Sequence, residues 1–140
     1  MSGKTFLDTN VVVYAADLSS AERARHDTAV RLLTAEPDRL VISTQVLQEF
    51  YAVVTRKLAP PLDQARAAAA VRSLCELEVV GTDAALVVAA IEVSRTAQLS
   101  LWDAMIIEAA RQAGCDRVLT EDLSDGQVVS GVRIENPFMA

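Results

Sequence analysis

The sequence predicts an α/β fold, a three-layer α/β/α sandwich around a mainly parallel central sheet. Short apolar runs typical of buried strands recur along the chain, and the segments between them have helical spacing. Those helical segments are long enough to cross from one parallel strand to the next. No linker, repeat or low-complexity segment interrupts the pattern, so we expect one domain over residues 1–140.

The first half of the chain alternates strands and helices. The predicted strands are KTFLD (4–8), which leads into TNVVVYAAD, and DRLVIS (38–43). The predicted helices are SSAERARHDTAVRLLTAE (19–36), which begins with a serine cap, and TQVLQEFYAVVTRK (44–57).

The second half continues this alternation and adds a polar turn. Its predicted helices are QARAAAAVRSLCEL (64–77), DAALVVAAIEVSRTAQ (83–98) and LSLWDAMIIEAARQAG (99–114). Its predicted strands are EVVG (78–81), DRVLT (116–120) and VRIEN (132–136), with the turn EDLSDG at 121–126.

The helix predicted at 99–114 carries an aspartate, Asp103, on its apolar face. An unpaired carboxylate loses hydration worth several kcal/mol in apolar surroundings, so it should become neutral, pair with a donor or cation, or bind a metal. The alternative is that Asp103 caps the helix start or complements its dipole. A helical projection places Trp102, Ile106, Ile107, Ala109, Ala110 and Ala113 on the buried side, and Glu108, Arg111 and Gln112 on the outward side.

Three further acids are expected at the edge of the sheet where open parallel sheets bind ligands, beyond the carboxyl ends of the strands. Asp8 ends the first strand, Asp122 follows the strand that ends at Thr120, and Glu49 borders an apolar helix stripe. Each has a structural alternative: Asp8 as a helix cap, Glu49 as a rim residue paired with Arg56 or Lys57, and Asp122 as a turn former that competes with Glu121 and Asp125.

Converging carboxylates favour a hard divalent cation, Mg²⁺ or Mn²⁺, because no Cys/His ligand pattern accompanies them. Such a site suits metal-assisted hydrolysis of a phosphate ester. The single histidine, His26, fits a structural role better than a catalytic one, and the chain has no GxSxG, Walker A or GxGxxG motif. Trp102 is either a base-stacking residue or part of the core or a dimer interface.

The composition limits partners and location. With 13 Lys and Arg against 19 Asp and Glu, the net charge of −6 argues against a broad basic face for nucleic acid. If nucleic acid is the substrate, divalent cations or a local basic patch must offset the repulsion. Two cysteines forty positions apart, Cys75 and Cys115, indicate free thiols in a reducing compartment, and we expect a cytoplasmic protein without a signal peptide or membrane span.

Four segments, FLDTNVVVYA, ISTQVLQEFYAVVTRK, LSLWDAMIIEAARQAGCDRVLTEDL and GVRIENPF, resemble the PIN-domain ribonucleases, particularly the VapC-like toxins of toxin–antitoxin pairs. The resemblance implies an α/β/α domain whose acidic Mg²⁺ or Mn²⁺ site cleaves RNA. It places the metal-binding and catalytic acids at Asp8, Glu49, Asp103 and Asp122. It makes Thr9, Asn10 and Thr120 supporting residues that orient these acids or bind metal-bound water. Asp125, like Glu121, is close enough in sequence to share or replace the role of Asp122.

The resemblance also implies an antitoxin whose basic segment reaches the acidic groove, and a homodimer. Arg56 and Lys57 are candidates for RNA phosphate contact, with a solvated helix end as the alternative. Two other functions stay open: a non-catalytic PIN-like domain that binds RNA or protein, and a receiver- or phosphatase-like phosphoryl-transfer domain. The second lacks a well-placed lysine and the DxD pattern at LDTN.

Overall fold

The computed structural model describes residues 3–139, and within that range the strands form a six-stranded sheet in the order β3-β2-β1-β4-β6-β5. All neighbours pair in parallel except β5 and β6, which are antiparallel. The mainly parallel sheet of the predicted fold class is therefore confirmed. The strands are β1 (Thr5–Leu7), β2 (Leu40–Ser43), β3 (Glu78–Val80), β4 (Arg117–Leu119), β5 (Val128–Val129) and β6 (Val132–Glu135).

The helices fall into two groups that flank the sheet. In the first group α1 packs against both α2 and α3, and α3 also packs against α4 and β2. In the second group α5 packs on α6, and α6 lies against β2, β4 and β6. Ser43, Asp63, Asp83 and Ser100 cap four of the helices through their side-chain oxygens. The helices are α1 (Thr9–Ala16), α2 (Arg23–Ala35), α3 (Thr44–Arg56), α4 (Gln64–Leu74), α5 (Ala84–Ala97) and α6 (Leu101–Gln112).

The hairpin of β5 and β6 includes a strand that the sequence prediction missed. Ser130 and Gly131 both have positive φ, 51° and 78°, and they form the two-residue loop between the paired Val129 and Val132. A two-residue hairpin loop whose twist matches that of its strands can require a positive φ at both loop residues. The Ser-Gly pair was the sequence signal for this loop. Elsewhere the predicted and observed elements agree to within a few residues at their ends.

Helix α6 corrects the predicted division into a buried and an outward face. The residues from Ala104 to Ala110 are all buried, because α5 and the sheet enclose the middle of the helix. Glu108, predicted to face outward, is 2% exposed, and Trp102, predicted to be buried, is 64% exposed. A one-sided projection fails for a helix that is enclosed all round and exposed only at its ends.

Glu108 can be buried because its charge is paired within the helix. Arg111 donates two hydrogen bonds to its carboxylate, at 2.9 and 2.6 Å, and Gln112 donates a third at 3.1 Å. The Arg111 guanidinium, with help from Gln112 and against the effect of burial, lowers the pKa of Glu108. Glu108 is therefore a structural ion pair and not part of the acidic edge.

Within residues 3–139 no single helix has the length and apolar character to cross a membrane, and α5 and α6 meet that test only as a pair bent by 115°.

The buried core centres on β1, whose three residues are all buried. The polar residues of the carboxyl edge begin with Asp8, the residue that directly follows β1. His26 donates one hydrogen bond from its Nδ1 to the Tyr14 carbonyl oxygen at 3.0 Å, which is a structural contact.

Candidate active site

Asp8 and Thr120 meet at the carboxyl edge because they follow paired positions of neighbouring parallel strands, Leu7 in β1 and Leu119 in β4. Asp8 is 6% exposed, and both of its carboxylate oxygens are held. Oδ1 accepts from the Thr9 backbone N–H at 2.7 Å, and Oδ2 accepts from the Thr120 hydroxyl at 2.8 Å. Asp8 is the N-cap of α1, so the capping alternative holds together with its place in the acidic edge.

The surroundings of the Asp8 carboxylate favour binding of a cation. Burial raises its pKa to about 6, the hydrogen bonds from Thr120 and Thr9 oppose this rise, and the nearby carboxylates of Asp122 and Glu49 add to it. Three acids therefore interact electrostatically at this edge. A cation bound among them would relieve both the desolvation and the repulsion.

The Thr120 hydroxyl connects Asp8 to Asp122. Besides its bond to Asp8, the fully buried Thr120 accepts hydrogen bonds from Asn10 Nδ2 and from the Asp122 backbone N–H, each at 3.1 Å. Asn10 Nδ2 also donates to Asp122 Oδ2 at 3.1 Å, and Asn10 Oδ1 accepts from the Glu121 N–H at 3.3 Å. Asn10 and Thr120 thus fix the loop that carries Asp122.

The two acids that compete with Asp122 are engaged elsewhere. Glu121 accepts from the Tyr14 hydroxyl and, at 3.0 Å, from Arg25 Nε. Burial and then the Glu121 carboxylate raise the pKa of Tyr14. Asp125 accepts from the Asn136 N–H at 2.8 Å, one strand further along the sheet edge. Of the three, Asp122 is the acid that contacts Asn10 and interacts with Asp8.

Glu49 reaches the same edge from α3. Its Oε1 accepts from the Thr9 hydroxyl at 3.1 Å and from Gln45 Nε2 at 3.3 Å. Gln45 Nε2 is also 3.3 Å from the Trp102 carbonyl oxygen, so it joins α3 to the start of α6. Sequence reasoning missed the buried Gln45. Its signal was the four-residue spacing from Glu49, which puts both side chains on one helix face.

Asp103 lies in the first turn of α6 and is half-buried. Ser100 is the N-cap of this helix, and its hydroxyl accepts from the Asp103 N–H at 3.1 Å, so Ser100 and not Asp103 performs the capping. Within residues 3–139 the Asp103 carboxylate has no hydrogen-bond or ion-pair partner. The structure brings Asp8, Asp122 and Glu49 together, and it leaves Asp103 next to the Trp102 carbonyl that Gln45 contacts.

The donors fit a hard divalent cation by type, since all are carboxylate, hydroxyl or amide oxygens. Among the described residues, no three His, Cys, Asp or Glu side chains are already arranged to hold a metal ion together. Glu49 and Asp122 are exposed and Asp103 is half-buried, so rotamer changes are open to all three. The site thus combines one fixed carboxylate, Asp8, with three adjustable ones.

A cleft of about 330 Å³ lies over this cluster, and its lining includes Thr9, Asn10, Glu49, Asp122 and Lys57. Of the two basic residues predicted to contact RNA, Lys57 lines the cleft and Arg56 does not. Larger cavities, of about 390 and 670 Å³, lie away from the four acids.

The sequence-family model described as the PIN domain matches residues 5–124 of this chain. The chain belongs to the PIN-domain family. VapC20 of Mycobacterium tuberculosis, a sarcin–ricin loop cleaving toxin, has a similar structure, with 25% identity over 82% of this chain and 87% of that one and a TM-score of 0.65. The DNA-bound VapBC of Salmonella typhimurium is 23% identical over 96% of this chain and 98% of that one, with a TM-score of 0.69.

A toxin–antitoxin complex from Klebsiella pneumoniae is 17% identical over 92% of this chain and 95% of that one, with a TM-score of 0.69. No curated protein sequence matches the chain. The resemblance to PIN-domain and VapC proteins is therefore confirmed, and proteins of these families are in general endoribonucleases.

Proposed function

We propose that this PIN-domain protein is a Mg²⁺- or Mn²⁺-dependent endoribonuclease and the toxin of a toxin–antitoxin pair. The observation that carries the proposal is the buried Asp8 carboxylate, which accepts a hydrogen bond from Thr120. Burial raises its pKa, and the nearby carboxylates of Asp122 and Glu49 raise it further. Asp8 lies at the sheet edge where α/β proteins bind ligands. The similarity to a toxin that cleaves RNA supports the substrate class.

Asp8, Glu49, Asp103 and Asp122 would hold the cation. A bound divalent cation supplies a water of lowered pKa and neutralises charge on a phosphodiester. The protein's own residues fix the ligands: Thr120 and the Thr9 N–H orient Asp8, and Asn10 holds the Asp122 loop. Glu49, the proposed ligand from α3, is positioned by hydrogen bonds from the Thr9 hydroxyl and from Gln45.

RNA binding must overcome the net charge of −6. Lys57 lines the cleft and would contact a phosphate, and Arg56 adds positive charge at the end of α3. The same acidic cleft would attract the basic segment of an antitoxin. We extend the proposal to a homodimer in the cytoplasm, with the thiols of Cys75 and Cys115 free as they are in the structure.

The proposal is tested by cleavage of a structured RNA pool with the purified protein and its Asp103→Asn variant, each in Mn²⁺ and in EDTA. We expect cuts only from the wild type in Mn²⁺. Asp63→Asn is the matched control, because Asp63 caps α4 and Asn caps equally well away from the edge. Cleavage by Asp103→Asn at the wild-type rate, or in EDTA, would contradict the proposal.

A second function, a non-catalytic PIN-like domain that binds RNA or protein, is favoured by one observation. No three of the described acids are arranged to hold a metal ion. Calorimetric titration with Mn²⁺ separates the two functions: the nuclease binds the cation and loses binding with Asp8→Asn, whereas the non-catalytic domain shows no heat of binding in either protein.

A further inference from the structure

Trp102 is a large exposed aromatic residue whose main chain contacts Gln45, the neighbour of Glu49 on α3. It is 64% exposed, although the helix that carries it is buried from Ala104 to Ala110. An exposed tryptophan presents a large, flat apolar surface on which an aromatic ligand can stack. Trp102 directly precedes Asp103, a proposed cation ligand.

Trp102 is linked to the acidic edge through one side chain. Gln45 Nε2 donates both to the Trp102 carbonyl oxygen and to Glu49 Oε1, each at 3.3 Å. Gln45 is buried, so this link is fixed by packing. The start of α6 therefore lies against the face of α3 that carries Glu49.

Helix α3 arranges three different groups along its length. Gln45, which contacts Trp102, is in its first turn, Glu49 is one turn later, and Lys57 is the residue after its end. At 1.5 Å per residue, Gln45 and Lys57 are about 18 Å apart along the axis. The main chain of Trp102 at one end, Glu49 between the ends and a lysine at the other end suit a strand that runs along α3 and across the cleft.

We propose that Trp102 stacks on an unpaired base of the RNA substrate, on the side of the acidic edge opposite Lys57. The inference rests on the proposed function. The carboxylates repel RNA phosphates on this side, whereas stacking on an aromatic ring needs no positive charge. Proteins that recognise single-stranded RNA and loops hold splayed bases in this way. A base paired within a continuous duplex is not free to stack on this ring.

The protein carries its own reporter, because Trp102 is its only tryptophan. The wild-type protein in Mg²⁺, read immediately after mixing and with the RNA checked for integrity on a gel, is titrated with a single-stranded RNA oligonucleotide. We expect its fluorescence to be quenched, and a perfect duplex of the same sequence to quench it far less. Equal quenching by the two RNAs, or none by either, would overturn the inference.

Variants then measure the contribution of the ring, with binding followed by the anisotropy of a labelled single strand because Trp102→Ala and Trp102→Phe lack the tryptophan reporter. Trp102→Ala should weaken binding of the single strand by roughly 5- to 100-fold, and Trp102→Phe should retain binding to within a few-fold. Val88→Ala is the matched control, because Val88 on α5 is an equally exposed apolar side chain at 65%. Unchanged binding by Trp102→Ala would overturn the inference.

Failure of the inference and failure of the proposed function give different results. If the wild type cleaves RNA and Trp102→Ala cleaves and binds equally well, only the stacking role fails. If the wild type cleaves nothing, the nuclease proposal fails. Light scattering tests the competing role: Trp102→Ala protein that changes from dimer to monomer with unaltered RNA affinity would make this ring a dimer contact and overturn the inference.

Discussion

At the scale of single residues, Asp8 shows how a functional group can reduce the stability of its own fold. Its carboxylate caps α1 and accepts two hydrogen bonds, yet its pKa is raised to about 6. The two hydrogen bonds therefore do not fully replace the hydration lost on burial. A side chain selected for stability alone would be neutral here.

This raised pKa predicts an unusual pH dependence. Between the ordinary value of 3.8 and about 6, the folded state binds the Asp8 proton more tightly than the unfolded state does. The unfolding free energy contributed by Asp8 is therefore highest below this window and falls as pH rises through it, by up to about 3 kcal/mol. In EDTA, Asp8→Asn should be more stable than wild type at pH 7 by about 1–3 kcal/mol and similar to it near pH 4.

Urea denaturation at the two pH values measures this difference. Asp63→Asn again serves as the control, because its cap is exposed, and it should change stability by less than about 0.5 kcal/mol at both pH values. An Asp8→Asn protein that is less stable than wild type at pH 7 would show that the carboxylate is favourably placed without a cation.

The sequence predicted the residues of the acidic edge better than their contacts. Asp8 and Asp122 follow adjacent strands, so the rule for parallel sheets was enough to place them together. The sequence could not show that Tyr14 and Arg25 engage Glu121, because these residues come from two other helices and meet Glu121 only after packing. The link from Gln45 to Trp102 depends on tertiary packing in the same way.

At the scale of elements, α6 shows the limit of reading one helix by its periodicity. Apolar spacing found the helix, but burial of its middle depends on α5 and three strands. Glu108 is accepted inside because Arg111 and Gln112 lie three and four residues later and satisfy its oxygens. The spacing that allows Arg111 and Gln112 to pair with Glu108 is visible in the sequence. The burial of the pair is not, because it depends on the enclosed position of α6.

This difference between a buried and an exposed ion pair is testable. Arg111→Ala leaves the Glu108 carboxylate buried with Gln112 as its remaining partner, so we expect a loss of about 1–3 kcal/mol of unfolding free energy at pH 7. Arg95→Ala breaks the Glu92–Arg95 pair, which has the same spacing on α5 with both side chains exposed, and should cost less than about 0.5 kcal/mol. Equal losses of unfolding free energy in the two variants, measured by urea denaturation, would mean that burial does not increase the cost of breaking the ion pair.

At the scale of the whole molecule, the proposed cation should stabilise the fold. A cation that binds only the folded protein adds about 2.7 kcal/mol at 100 times its Kd. For a chain of this length we expect Mg²⁺ to raise the Tm by about 5–10 °C in a thermal scan at pH 7. The Asp8→Asn, Asp122→Asn double variant should show no such rise. NaCl of equal ionic strength is the control for screening of the −6 charge, and an equal shift in NaCl would contradict specific binding.

The hairpin of β5 and β6 lies beyond residue 124, where the match to the family ends. Yet β6 pairs with β4, its Ile134 is fully buried, and the Thr120 N–H donates to the Glu135 carbonyl. A chain cut at the family boundary would leave β4 as an open strand edge, prone to aggregation, and would release one anchor of Thr120. The smallest fragment that folds and keeps its acids in place must therefore extend through β6.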